Sequence, residues 1–302
     1  MHKFLKLSPI LFGVILSFYC QQVFSSPPLK VVASFSILGD LVRQIGGESI
    51  DLQTIVGPNE DTHVYEPTPK DVKRVAEANL VFINGFGFEG WIERLIEASG
   101  YKGPVVVVSS EITPRYDSTY CKCKSKHHHL DPHAWHNVPN VKSYISVIAK
   151  ALSQKDPEHK DLYQMNAQTY QKKLDKIEHI IQKDFSEVPI AKRVAITTHD
   201  GFGYFGDHYG IQFLSPVGLS TESEPSAKTI AQLIDFIKSH EIKVLFLENI
   251  TSPKLMEQIA SETNANLGAV LYSDALSDAS GPASTYLQMM EYNAKALAMG
   301  MR

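Results

Sequence analysis

The chain has 302 residues, with 29 lysines and arginines against 33 aspartates and glutamates, a formal net charge of −4 at pH 7. That balance offers no basic surface for nucleic acid. The length suits two domains of ordinary size, each able to bury its own core.

Residues 1–25 read as a secretory signal peptide. Lys3 and Lys6 form the charged start, Leu7 to Tyr19 is an apolar run too short to span a bilayer, and Val23-Phe24-Ser25 offers a cleavage site. Cys20 would suit a lipoprotein, but Phe18-Tyr19 before it are too bulky for the usual lipobox. We therefore expect cleavage near Ser25 and an exported product. Removing Lys3 and Lys6 leaves 27 basic against 33 acidic residues, a net charge of −6. No later run of ~18 apolar residues occurs, so no transmembrane helix is expected.

Short apolar runs then alternate with helical patterns. Lys30–Phe35 is a strand, followed by an amphipathic segment through Ile45-Gly46-Gly47. Asp51–Val56 is the next strand and ends at Gly57-Pro58. Thr68-Pro69-Lys70-Asp71 opens a helix, with Thr as N-cap, Pro at the first helical position and an acid at the third. Leu80–Ile83 and Val105–Val108 are expected as two more buried strands. Between them, Gly85-Phe86-Gly87-Phe88-Glu89-Gly90 matches the dinucleotide fingerprint G-x-G-x-x-G, with Glu111 about 20 residues on. The match follows the third strand rather than the first, and Glu89 would set a carboxylate in the phosphate loop. Export would also remove the chain from cytoplasmic dinucleotides. We read these glycines as shaping a tight turn, with no nucleotide cofactor.

The stretch His127-His128-His129-Leu130-Asp131-Pro132-His133-Ala134-Trp135-His136 holds five of the twelve histidines, and Cys121-Lys122-Cys123 stands just upstream. Imidazole and thiolate are the ligands that borderline and soft metals prefer. Cys121, Cys123, His127, His128 and His129 crowd together among Lys122, Lys124 and Lys126. They read as an auxiliary zinc collector or as a solvated loop without function. The two cysteines could pair, although a C-x-C ring is tight, or serve as free thiols.

Val141–Leu152 and Pro157–Phe185 are both helical. In the second, Leu162, Met165, Leu174, Ile177 and Ile181 fall on helical spacings. Such a helix reaches about 40 Å, long enough to join two lobes stiffly. The alternation then resumes, with strands at Arg193–Thr197, Lys243–Leu247 and Leu267–Tyr272 and helices at Thr229–Ile237 and Lys254–Thr263. The expected fold is α/β: two parallel-sheet lobes, 26–156 and 187–302, joined by one long rigid helix, 157–186.

In open parallel sheets, ligands bind beyond the carboxyl ends of the strands. His63 follows the second strand, His133 lies in the long loop after the fourth, His199 follows Ala195–Thr198, and Asp274 follows Leu271-Tyr272. They lie too far apart for a local metal finger, so the fold must assemble the site between the lobes. Three imidazoles and one carboxylate suit tetrahedral zinc. From the unperturbed histidine pKa of ~6.5, metal affinity is expected to fall steeply below about pH 6.

His63-Val64-Tyr65-Glu66-Pro67-Thr68-Pro69, Asp131-Pro132-His133-Ala134-Trp135 and Thr198-His199-Asp200-Gly201-Phe202-Gly203-Tyr204-Phe205 closely resemble the zinc/manganese solute-binding proteins of bacterial ABC importers. Glu222-Ser223-Glu224-Pro225-Ser226-Ala227-Lys228 and Tyr272-Ser273-Asp274 resemble further family segments. The resemblance covers essentially the whole chain after the signal. It implies two α/β lobes joined by a long helix, metal in the cleft, and His63, His133, His199 and Asp274 as ligands. Manganese members usually carry Glu where this chain has His199, and imidazole there favours zinc. The implied function is periplasmic zinc capture for an inner-membrane ABC permease by a monomer, with a periplasmic metal donor as a further partner and no enzyme chemistry. Two features depart from the family pattern: His136 stands where relatives carry an apolar residue, which would set a competing ligand near the site, and the short Cys/His loop carries cysteines. The alternatives are a manganese or iron member of the same family, or an exported zinc hydrolase. Against the hydrolase, no His-Glu-x-x-His occurs, and Pro67 disfavours a helix at Glu66 beside His63.

Overall fold

The computed structural model describes residues 27–116 and 129–302. Expectations that fall on 1–26 and 117–128, the signal peptide and most of the Cys/His loop, lie outside the described residues.

The N-terminal lobe runs β1 (Leu29–Phe35), α1 (Ser36–Gly46), β2 (Ile50–Val56), α2 (Pro69–Ala76), β3 (Leu80–Ile83), α3 (Ile92–Ser99), β4 (Val105–Val107) and α4 (Val138–Lys155). The long helix α5 spans Lys160–Ser186. The C-terminal lobe then runs β5 (Val194–Ile196), α6 (Gly203–Tyr209), β6 (Gln212–Leu214), α7 (Ala227–Ser239), β7 (Val244–Glu248), α8 (Lys254–Thr263), β8 (Asn266–Leu271) and α9 (Tyr286–Met301). Each lobe holds a four-stranded parallel sheet, ordered β2-β1-β3-β4 in the first and β6-β5-β7-β8 in the second. The two halves thus repeat one winding, in which the first strand is central and the order reverses beside it. All the carboxyl ends of one sheet lie on one edge, where such folds place their ligands.

Local sequence accounts for several boundaries. At the start of α2, Pro69 needs no amide partner, and the Asp71 carboxylate accepts from the Thr68 backbone N–H (2.9 Å) and hydroxyl (2.6 Å). Asn137 caps α4 by accepting from the Asn140 N–H at 3.0 Å. Helix α5 has 27 residues, or about 40 Å. Its inward stripe is Tyr163, Ala167, Tyr170, Leu174, Ile177, Ile181 and Phe185. It packs on α1 and α4 from the first lobe and on α9 from the second.

Two expectations are corrected. Val105–Val108 is not a buried strand: it shortens to β4 at the sheet edge, and Val105 and Val107 are each 36 % exposed. Nor are the cores of the two lobes fully separate. The main core is continuous, running from Val31 and Ile37 through Leu174 and Phe185 to Phe205, Met290 and Leu297. Among the described residues, only the layer of Ile196, Leu233, Leu245 and Met256 under α7 and α8 stands apart. A core that crosses the boundary makes the joint stiff, since interior packing resists shear. The elements α6, β6 and α9 are additions that the strand–helix alternation does not predict. The signal for α9 was present: Thr285 accepts from the Gln288 N–H (3.3 Å), and Tyr286, Met289, Met290, Asn293 and Leu297 recur at helical spacing on its buried face.

Among the described residues, no helix is long and apolar enough to cross a membrane.

Candidate metal centre

Four strand-end loops converge on one point. His63 comes from the loop after β2, His133 from the segment before α4, His199 from the turn after β5, and Asp274 from the turn after β8. Each offers one ligand atom, and these atoms lie within 4.8 Å of one another. All four residues are buried; His63, at 9 % exposure, is the most open and the other three are sealed.

The Nε2 atoms face inward. His133 Nε2 stands 3.4 Å from His63 Nε2 and 3.2 Å from His199 Nε2. The Asp274 carboxylate completes the group, with Oδ2 at 3.3 Å from His63 Nε2 and 3.4 Å from His199 Nε2, and Oδ1 at 3.6 Å from His133 Nε2. Neither Asp274 oxygen accepts a hydrogen bond of ordinary geometry. Ring nitrogens crowded this closely around a carboxylate without bonding it are arranged like ligands around a shared ion.

Two of the imidazoles are held from behind. The Nδ1 of His133 lies 2.8 Å from Asp131 Oδ1, which also accepts the His133 backbone N–H at 3.0 Å. The Nδ1 of His199 lies 2.5 Å from Glu248 Oε2, while Glu248 Oε1 accepts the backbone N–H groups of Thr198 (2.8 Å) and His199 (2.9 Å). A carboxylate on Nδ1 keeps the proton there and leaves the Nε2 lone pair for a metal. A Cβ at Gly201 would come within 2.7 Å of the His199 ring, so the turn after β5 needs a glycine.

The other two ligands lack such a clamp. The His63 ring meets the edge of Phe88, with centroids 4.9 Å apart. Its loop is tied by backbone: the His63 N–H donates to Asp61 Oδ1 (2.9 Å), and Asp61 Oδ2 accepts the Thr221 hydroxyl (2.6 Å) from the second lobe. Asp274 is brought in by its neighbour, since Trp135 Nε1 donates to the Ser273 carbonyl at 2.9 Å.

The charges match this arrangement. Burial alone would lower the His133 pKa, but the Asp274 and Asp131 carboxylates more than offset it and hold it at about 9. Burial acts the same way on His199, and Glu248 and Asp274 push it well above the ordinary value. Burial opposes the charge on Asp274 too, yet His199 and His133 hold it well below the usual carboxylate range. Protons therefore compete with a metal from about pH 9 downward, a higher onset than the one near pH 6 expected from isolated histidines.

Other singled-out residues fall elsewhere. His136 is buried but outside the four-residue group: its ring lies against Phe202, centroids 4.5 Å apart, both nitrogens lack partners, and burial drives its pKa down to about 3. His129 is exposed and also outside the group. Cys121, Cys123, His127 and His128 lie outside the described residues. Glu66 is exposed. In the Gly85–Gly90 turn, Gly85, Phe86 and Gly87 all have positive φ, and the buried Glu89 carboxylate accepts from the N–H groups of Asn84 (2.6 Å) and Gly85 (3.2 Å) and the Ser34 hydroxyl (2.6 Å). The glutamate takes the donors that a phosphate would need. Asp131, Glu248, Asp61 and Thr221 were not read as site residues from sequence. The strand-end position of Glu248 was a usable signal, while the other three needed the fold.

Two wound α/β lobes on a stiff helix, with a buried cation-binding group at their junction, define a metal-binding substrate-binding protein of the kind that serves ABC importers. The family description ZnuA, zinc-uptake complex component A, periplasmic, matches residues 31–300. The chain belongs to this family. Among curated proteins it is 33 % identical over 282 residues to the manganese ABC transporter substrate-binding lipoprotein PsaA of Streptococcus mitis, covering 92 % of this chain and 90 % of that one. It is 31 % identical over 273 residues to the manganese-binding lipoprotein MntA of Halalkalibacterium halodurans, covering 90 % and 88 %. Among solved structures, the periplasmic zinc-binding protein TroA of Treponema pallidum superposes with a TM-score of 0.84 at 27 % identity, over 91 % of this chain and 99 % of that one.

Proposed function

We propose that the protein binds one Zn2+ through His63 Nε2, His133 Nε2, His199 Nε2 and an Asp274 oxygen, and hands it to the permease of an ABC importer. The observation that carries the zinc reading is the donor set, three buried imidazoles and one carboxylate, and its spacing is compatible with zinc. Bonds of about 2.0–2.1 Å to a tetrahedral zinc set ligand atoms about 3.3 Å apart. The facing Nε2 pairs stand at 3.2 and 3.4 Å, and Asp274 Oδ2 stands at 3.3 and 3.4 Å from two of them. Three imidazoles also make a softer set than manganese favours. Four protein ligands leave no open position for a catalytic water, which argues for carriage over hydrolysis.

A manganese cargo is the second reading, favoured by the names of the curated relatives. Metal analysis of protein purified without added metal, followed by competition between zinc and manganese, separates the two. Zinc at one equivalent, not displaced by excess manganese, supports the first; retained manganese that zinc displaces weakly supports the second.

In this reading 26–156 and 187–302 act as the two lobes and 157–186 as their link. Export leads to the periplasm, through cleavage near Ser25 or, as in relatives named lipoproteins, an anchor at Cys20. The protein works as a monomer, with the permease and a periplasmic metal donor as its partners. The segment Cys121–His129 collects zinc for the buried site.

A further inference from the structure

We infer that Arg115 is a positioning residue that makes the hold on His133 depend on contact with the second lobe. The inference rests on the zinc reading above. Arg115 lies in the first lobe, and its carbonyl accepts the Asp131 N–H at 2.9 Å. Its guanidinium reaches in two directions. Nη1 donates to Asp131 Oδ2 at 3.0 Å, on the carboxylate whose other oxygen holds His133. Nε donates to Asp207 Oδ2 at 2.8 Å, on α6 of the second lobe. The Arg115 backbone N–H donates to the hydroxyl of Tyr204, also on α6, at 2.8 Å.

The surroundings are shaped for this side chain. A Cβ at Gly203 would come within 2.3 Å of Arg115 Nη1 and 2.7 Å of Asp131 Oδ2. A glycine there lets α6 lie directly against the ion pair. The Arg115 side chain is 15 % exposed and Asp131 is sealed, so their bond is charge-assisted and little screened, while Asp207 at 70 % faces water. A guanidinium can serve two carboxylates from fixed directions; an ammonium cannot hold both in that geometry.

The chain of contacts therefore runs from α6 through Asp207 and Arg115 to Asp131, and from there to the His133 imidazole. When α6 is seated, Arg115 fixes Asp131, and Asp131 fixes the ring with Nε2 toward the other ligands. Where the Asp207 contact is lost, Arg115 is held less firmly and His133 loses part of the rigidity of its support. A zinc ion would then be released faster.

The test is zinc release from the full chain into excess chelator, followed by stopped-flow, with circular dichroism to check folding. Arg115→Gln should release zinc about tenfold faster, the low end of the effect of losing a support behind a metal ligand. Asp207→Asn should speed release about two- to five-fold, the scale of an exposed ion pair. Arg115→Lys should fall between wild type and Arg115→Gln. Because the effect acts through His133, Arg115→Gln should add nothing to the release rate in a His133→Ala background. Wild-type release from Arg115→Gln, or an equal acceleration with and without His133, overturns the inference. If Arg115→Gln does not fold, Asp207→Asn decides: unchanged release overturns it as well. Unchanged zinc binding in His133→Ala would instead sink the underlying zinc reading.

Discussion

In the proposed site, each lobe supplies one clamped residue and one unclamped residue. In the first, His133 is fixed by Asp131 while His63 rests on the edge of Phe88. In the second, His199 is fixed by Glu248 while Asp274 has only the facing imidazoles. The clamped rings are sealed at the base of the site, and His63 sits at the more open rim. In the proposed site, the fold therefore presets two of the four donors from behind and leaves the other two without a side-chain clamp.

The largest effects should separate the two kinds of ligand. Structural zinc sites bind with about 10–16 kcal/mol, so losing one of four equal ligands costs about 3 kcal/mol, or at least about a hundredfold in affinity. His133→Ala and His199→Ala should reach that loss in chelator competition. His63→Ala should lose less, because water can replace a rim ligand. Equal losses for all three would break the distinction between clamped and unclamped rings.

Glu248→Gln should follow. Its Oε1 would still accept the Thr198 and His199 amides, so the amide NH2 would face His199 Nδ1. That nitrogen must then accept, the proton moves to Nε2, and the metal lone pair is lost. A fall of about 10–100-fold in zinc affinity is expected, with little change in far-UV dichroism.

The pH dependence tests the charges around the clamped rings. In the metal-free protein, the raised pKa of His133, about 9, adds stability that is fully present below the unfolded value of ~6.5. It is lost as pH rises through about 9, and His199, raised in the same direction, adds to the effect. Thermal melts of metal-free protein should therefore fall between pH 7 and 9.5. Zinc affinity should run the other way, rising across that range as protons cease to compete. A metal-free melting temperature that climbs toward pH 9.5 would contradict the clamp electrostatics.

The smallest effect concerns the Cys/His loop. Deleting 121–128 should leave equilibrium zinc affinity nearly unchanged, since His133 remains, but slow zinc capture at low zinc. Stopped-flow uptake checks this, and equal rates with and without the loop would leave it no collecting role.

The sequence carried the architecture because short apolar runs between helical patterns determine where strands begin and end. Leu80–Ile83 and Lys254–Thr263 were legible to the residue, and the capping signals at Thr68 marked α2. The glycine-rich stretch 201–206 hid α6, because glycine weakens any helical periodicity. The exposure of Val105 and Val107 depends on which strand ends up at the sheet edge, which no local pattern records. The four converging residues were legible as strand-end residues. Their supports were not: Arg115 and Asp207, or Asp61 and Thr221, meet only after both lobes have folded. The pKa shifts of His133 and His199 are likewise products of assembled charge.

The most direct measurement is X-ray absorption at the zinc edge on full-length protein loaded with one equivalent. A four-coordinate shell of nitrogen and oxygen at about 2.0–2.1 Å is expected, with imidazole scattering and no sulfur. A sulfur shell at about 2.3 Å would place the first zinc on Cys121 and Cys123 and contradict the assignment of the buried site.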